Sequence, residues 1–182
     1  MKDFRKISLP YLDTLAISCL TGQLMYQVAH RWSLPSLSHI ILGAVNVPDV
    51  SELWEIYGTQ LKSLELGLHA SFLVRDVISS LDQCPNLEEL NYHIFFTLPM
   101  TLESNVSNES IHTVGLHAAP NLMFSPDDAW VLAERHFEVL SESFSSLRIL
   151  RLFGDWSQIL GDSRFEPIYV KLRQRGCEVV VF

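Results

Sequence analysis

The chain has 182 residues, 48% of them hydrophobic and 19% charged, with eight Gly and eight Pro. That balance fits one domain of ordinary size and excludes disordered or collagen-like chains. A formal charge of -8, from 21 acidic against 13 basic side chains, excludes non-specific binding to the phosphate backbones of nucleic acid.

Met1 to Lys6 is basic, but Asp13 and Gln23 interrupt the stretch behind it, so no signal peptide is expected. Leu9-Pro10-Tyr11-Leu12-Asp13-Thr14-Leu15-Ala16-Ile17 sets the frame L-P-x-L-x-x-L-x-L, read as a strand centred on Leu15. Leu20, Leu24 and Val28 support a helix after it. The frame returns from Leu34 to Leu42, giving a strand centred on Ile40. Val50, Leu53, Trp54 and Tyr57 then fall at helical spacing between Pro48-Asp49 and Gly58. Leu61-Leu64-Leu66 is the third strand. Val74, Val77, Ile78 and Leu81 predict a helix with Ser71 as its cap and Pro85 as its stop.

Leu87-Leu90-Tyr92 makes a fourth strand, and the polar, aperiodic stretch from Thr97 to Asn108 reads as loop. Its Asn105-Val106-Ser107 and the adjoining Asn108-Glu109-Ser110 match the glycosylation pattern and mark exposed, polar chain. A fifth strand is centred on Val114. Ser125-Pro126-Asp127-Asp128 opens a helix that should run to about Ser143 and bury Trp130, Ala133, Phe137 and Leu140. A sixth strand is centred on Leu150. Phe165, Ile168, Tyr169 and Leu172 mark the final helix, ended by Gly176, and Glu178 to Phe182 is a last strand. The longest apolar run is Ala129 to Ala133, too short to span a membrane.

From Leu12 onward the frames recur after 25, 24, 26, 24 and 36 residues. Doubly wound βαβ units need roughly 30 or more. The expectation is therefore an α/β fold, an irregular leucine-rich-repeat solenoid with a parallel sheet on the concave side and helices on the convex side. Residues 1–182 form one such domain, expected to be a fragment of a longer array.

At Leu34-Pro35-Ser36-Leu37, at Gly58 to Leu66 and at Cys84-Pro85-Asn86-Leu87-Glu88-Glu89-Leu90, the chain resembles the leucine-rich-repeat region of fungal F-box-type proteins. The resemblance implies an array that recognises a substrate protein, with a separate F-box docking on the adaptor of a cullin-type ubiquitin ligase. The F-box itself is not visible, since Leu9-Pro10 lies in phase with Leu34-Pro35. The asparagine that caps the turn after each strand in typical repeats is also missing: its positions hold Leu20, Val45, His69, Phe95, Ala119 and Asp155. Those turns must be satisfied in another way.

Charge is uneven along the chain. Residues 1–43 sum to +2 (four basic, two acidic), 44–109 to -8 (two basic, ten acidic) and 110–182 to -2 (seven basic, nine acidic). Strand alternation places Ala16, Ile41, Glu65, Asn91, Gly115 and Arg151 in one row on the concave face, and Ser18, Gly43, Gly67, His93, His117 and Phe153 in the next. Glu65, Asn91, His93, His117, Arg151 and Phe153 are the predicted protein-binding residues; a local Arg151–Asp155 pair is the alternative for that arginine. His93 and His117 should lie about 5 Å apart, with no third metal ligand evident.

No nucleophile elbow, H-E-x-x-H, P-loop or dinucleotide fingerprint occurs. Cys19, Cys84 and Cys177 read as small buried hydrophobes in a reducing compartment, cytoplasmic or nuclear. The expected function is a non-catalytic protein–protein interaction module without cofactor, metal or membrane. Its partner is another protein on the concave face. The alternatives are a small α/β enzyme and a degenerate repeat remnant without a fixed partner. Leu12, Leu15 and Ile17 are expected near a poorly covered N-terminal edge that invites self-association.

Overall fold

A computed structural model describes residues 6–19, 22–45, 50–68, 82–97, 109–118 and 126–182. The predicted helix over Val74 to Leu81, the Ser125 cap and the loop residues 98–108 lie outside them. The fold is α/β. Its strands and helices are β1 (Ile7–Ser8), β2 (Thr14–Cys19), α1 (Gly22–Arg31), β3 (Trp32–Ser33), β4 (His39–Val45), α2 (Ser51–Tyr57), β5 (Ser63–Leu66) and β6 (Glu89–His93). They continue with β7 (Thr113–Ala118), α3 (Pro126–Ser143), β8 (Ile149–Gly154), α4 (Ser157–Leu160), α5 (Phe165–Gln174) and β9 (Glu178–Val181).

Seven strands form one parallel sheet in the order β2-β4-β5-β6-β7-β8-β9. The predicted strand centres are direct partners: Leu15 with Ile40, Ile40 with Leu64, Leu64 with Leu90, Leu90 with Val114, and Val114 with Leu150; Leu150 pairs in turn with Val179 of the last strand. A small parallel ribbon of β1 with β3, Ile7 beside Trp32, had no counterpart in the sequence reading. Two-residue strands are too short to carry a periodic signal.

A main-chain junction fixes this register. The Asp13 carbonyl accepts the N–H groups of both Ser38 and His39, each at 2.9 Å. Ser38 does the same for Lys62 and Ser63, Lys62 for Glu88 and Glu89, Glu88 for His112 and Thr113, and His112 for Arg148 and Ile149. Tight turns closed by an amide-to-carbonyl bond precede Asp13, Ser38, Lys62, Glu88 and Arg148: Leu12 to Leu9, Leu37 to Leu34, Leu61 to Gly58, Leu87 to Cys84 and Leu147 to Phe144.

Polar side chains in these turns tie one unit to the last. Ser36 Oγ donates to the Pro10 carbonyl at 2.6 Å, and Gln60 Nε2 to those of Leu34 and Leu37 at 2.8 Å. Asn86 Nδ2 donates to Thr59 O at 2.6 Å, and Ser110 Oγ to Leu87 O at 2.7 Å. A side-chain ladder therefore runs before the strands, at the position preceding the first apolar residue of the second to fifth frames.

Between the strands, the helices bury the faces their spacing dictates. Leu53, Trp54 and Tyr57 of α2 are buried, as are Trp130, Ala133, Phe137 and Leu140 of α3. In α5, Phe165 and Leu172 are buried while Ile168 and Tyr169 are half-buried. Gly176, at φ 77°, ends α5: its N–H bonds Arg173 O while that of Cys177 reaches back to Leu172 O. Helix and strand residues join in one core, with Ile40, Leu42, Leu64, Leu66, Leu90, Val114, Leu116, Leu150 and Leu152 inaccessible to solvent.

At the N-terminal edge, Leu12 and Leu15 are half-buried but Ile17 is not exposed as expected. It joins the buried cluster that contains Met25 and Val28 of α1. No helix among the described residues is long and apolar enough to cross a membrane.

Gly58 marks a close backbone approach between consecutive units. A Cβ there would collide with the Gln83 carbonyl and crowd Cys84 Sγ at 3.3 Å. Since the obstacle is backbone, Gly58→Ala is expected to cost about 1–3 kcal/mol, read as a lower denaturant midpoint with the slope unchanged.

Candidate functional site

The alternation that sends leucines into the core sends the intervening residues to the other face of the sheet. There the registers align Glu65, Asn91, Gly115, Arg151 and Val180 across five strands. One pleat further on they align His93, His117 and Phe153. All six predicted binding residues thus lie on one face. Four of them, Glu65, Asn91, His93 and His117, sit on the three adjacent strands β5 to β7, and Arg151 and Phe153 on the next.

His93, His117 and Phe153 stack as a ladder. Their ring centroids are 4.7 and 4.6 Å apart, at interplanar angles of 28° and 18°. A fourth ring, Phe182, continues it at 4.9 Å and 17°. Phe182 was not among the predicted residues, although it stands one pleat beyond Val180 as Phe153 stands beyond Arg151. Its N–H donates to Leu152 O at 2.9 Å, which carries the β8–β9 register one residue past the strand. The intervals equal the strand spacing, so the backbone sets the stacking distance.

Both ladder histidines are neutral at pH 7. Burial, with His117 adding to it, pushes His93 down from 6.5 to about 4. Burial also lowers His117, against the opposing pull of the Glu65 charge. Imidazole lone pairs lie in the ring plane, so stacked rings do not converge on a shared ion. Among the described residues no group of three or more His, Cys, Asp or Glu could hold a metal.

Beside the ladder, Arg151 reaches across β7. Its Nη1 donates to Glu89 Oε1 at 2.9 Å, and Asn91 Nδ2 donates to the same oxygen at 3.0 Å. Gly115 makes this crossing possible: a Cβ there would collide with Asn91 Oδ1 and touch Phe153 at 3.1 Å. The alternative Arg151–Asp155 pair does not form. Gly154, at φ 94°, redirects the chain, and Asp155 accepts the Ser157 N–H at 3.0 Å and its hydroxyl at 2.6 Å.

Behind the sheet, His136 was legible in sequence only as one of seven histidines. It is buried on α3, where Nδ1 accepts the Tyr92 hydroxyl at 3.1 Å and Nε2 donates to Thr97 O at 3.1 Å. Thr97 Oγ1 in turn donates to His93 O at 3.0 Å. This chain braces the end of β6 that carries His93. Its signal was positional: His136 follows Ala133 by three residues, on the buried side of the helix.

Two clefts lie elsewhere, near the N-terminal units. One of about 330 Å³ is lined by Gln23, Tyr26, Gln27 and Arg31. The other, about 360 Å³, includes Trp32, Tyr57 and Gln60 in its walls. Tyr57 and Gln60 spend their donors on main-chain carbonyls of Val28, Trp32, Leu34 and Leu37. No family model, curated protein or solved structure matches the chain.

Two measurements test this electrostatic picture. For His136, burial holds the folded pKa at about 4 against 6.5 unfolded, so the unfolded state binds the proton first. Stability is then full above pH 6.5 and falls as pH drops toward 4. The loss from His136 alone is about 3 kcal/mol, with His93 and His117 acting in the same direction. Unfolding titrations from pH 8 to pH 4 should show that decline, and a double His93→Phe, His117→Phe variant should show a shallower one. Burial also pushes the Cys84 thiol up to about 12 and raises that of Cys177. Native protein at pH 8 should therefore leave both unmodified by an aromatic disulfide reagent, with both reacting in denaturant.

Proposed function

We propose that this chain is a non-catalytic protein-binding module, a leucine-rich-repeat-type solenoid whose open sheet face receives a partner protein. The observation that carries the reading is the half-exposed ladder of His93, His117 and Phe153 with Phe182 at its end and Arg151 at its side. Aromatic and arginine side chains are the residues that dominate interfaces when truncated. Here each ring is held by its neighbours and by the strand beneath it, so little side-chain freedom remains to be lost on binding. The resemblance to F-box-type repeat regions extends the proposal: the bound partner would be the substrate of a ubiquitin-ligase subunit, selected by this face.

Quantitative affinity capture from the source cell tests the reading. Wild-type protein should retain a defined set of proteins, and Phe153→Ala and Arg151→Ala should each deplete it about tenfold or more. The Arg151–Glu89 pair is about one-third exposed and worth only about 1 kcal/mol, so the thermal midpoint of Arg151→Ala should change little. An identical captured set from the wild type and both variants would move the site off this face.

A further inference from the structure

The open face is acidic as well as aromatic. Its charged side chains are Glu65, Glu89, Glu178 and Arg151, and Arg151 is committed to Glu89 at 2.9 Å. Glu65 is half-buried on β5, level with Asn91 and close enough to His117 for its charge to pull on that ring. It makes no hydrogen bond or ion pair among the described residues. The Oδ1 of Asn91, in a side chain only 8% exposed, also has no hydrogen-bond partner. Residues 44–109, which supply β5 and β6, hold ten acidic and two basic side chains.

A half-buried carboxylate with no cation costs desolvation energy that a partner's cation can recover. The neighbouring strip of ring edges spans three strand spacings, about 14 Å. It offers flat apolar contact to an extended chain laid across the strands, and edge-on rings suit the face of a further aromatic ring.

Resting on the protein-binding reading above, we propose that the open face receives an extended basic segment of its partner, one arginine or lysine pairing with Glu65 and an aromatic side chain two residues away, on the same face of the segment, lying on the His93–His117–Phe153 ladder. Specificity comes from Glu65 on β5, which draws the cation, and from the ladder on β6 to β8, which takes the aromatic ring. Binding is therefore polar in direction: the basic residue lies toward β5 and the aromatic residue toward β8.

A fluorescein-labelled heptapeptide in which Gly separates alternating Arg and Tyr, so that both share one face of the extended chain, titrated with the 182-residue chain at low salt and read by anisotropy, tests the inference. Binding should weaken about fivefold or more in Glu65→Gln and in Phe153→Ala, and stay within about twofold of wild type in Glu166→Gln, an exposed acid on α5. The Glu-for-Arg peptide should not bind. No binding to wild type, equal binding to Glu65→Gln, equal weakening by Glu166→Gln, or preference for the acidic peptide would each overturn the inference. Repeating the lysate capture with Glu65→Gln separates it from the reading it rests on. Partners lost with Phe153→Ala but kept with Glu65→Gln leave the face a binding surface and remove the basic segment.

Discussion

From β2 through β8, each unit is anchored to the next by a carbonyl that accepts two consecutive amides. Asp13, Ser38, Lys62, Glu88 and His112 all play that part, at the residue just before a strand begins. Because the bond is made by backbone, it tolerates any side chain at the position, and the residues there are indeed an acid, a hydroxyl, a base, an acid and an imidazole. Because it recurs at the same point of every frame, it leaves no freedom of register. A slip of one residue would turn every leucine outward.

The open face of the sheet inherits its geometry from that constraint. Residues at equal positions in successive frames must lie side by side, so an aromatic residue repeated in consecutive frames becomes a stack without any further design. The same rule explains why the row beside the ladder depends on Gly115. Three side chains of ordinary size there would fill the space over β7, whereas the missing one lets Asn91 lean over the gap and Arg151 pass it to reach Glu89. The acidic character of the face is also a matter of position, since Glu65 and Glu89 belong to the most acidic third of the sequence.

Much of this was readable from residues alone, for one reason. Leucine spacing encodes strand centres directly, so the pairings from Leu15 through Leu150 follow from the frame, as does the closeness of His93 and His117. Helices over Val50 to Tyr57 and over Phe165 to Leu172 were readable for the same cause, a clean apolar period between breakers. What escaped depends on reach rather than period. Arg151 and Glu89 are 62 residues apart, and a flexible guanidinium can choose between Asp155 nearby and Glu89 two strands away; only the turn at Gly154 and the vacancy at Gly115 decide it. His136 escaped because a polar residue on a buried helix side looks like an interruption of the pattern until its partners, Tyr92 and Thr97, are in place. Ile17, expected near a poorly covered edge, is buried in the same core as Met25 and Val28 of α1, the helix whose period was the weakest to read.

The Arg151–Glu89 pair has a mechanical meaning as well. In the main sheet every strand is bonded only to the strands beside it in order, so the sheet could in principle peel from its β9 end one strand at a time. A side chain that bridges β8 to β6 over the top of β7 interrupts that sequence. Removing β8 would have to break the ion pair together with its own ladder, and would strip from Glu89 the charge that balances it. The bridge is one added tie across three strands of an otherwise pairwise laminate, opposing the fraying of the C-terminal strands by about 1 kcal/mol.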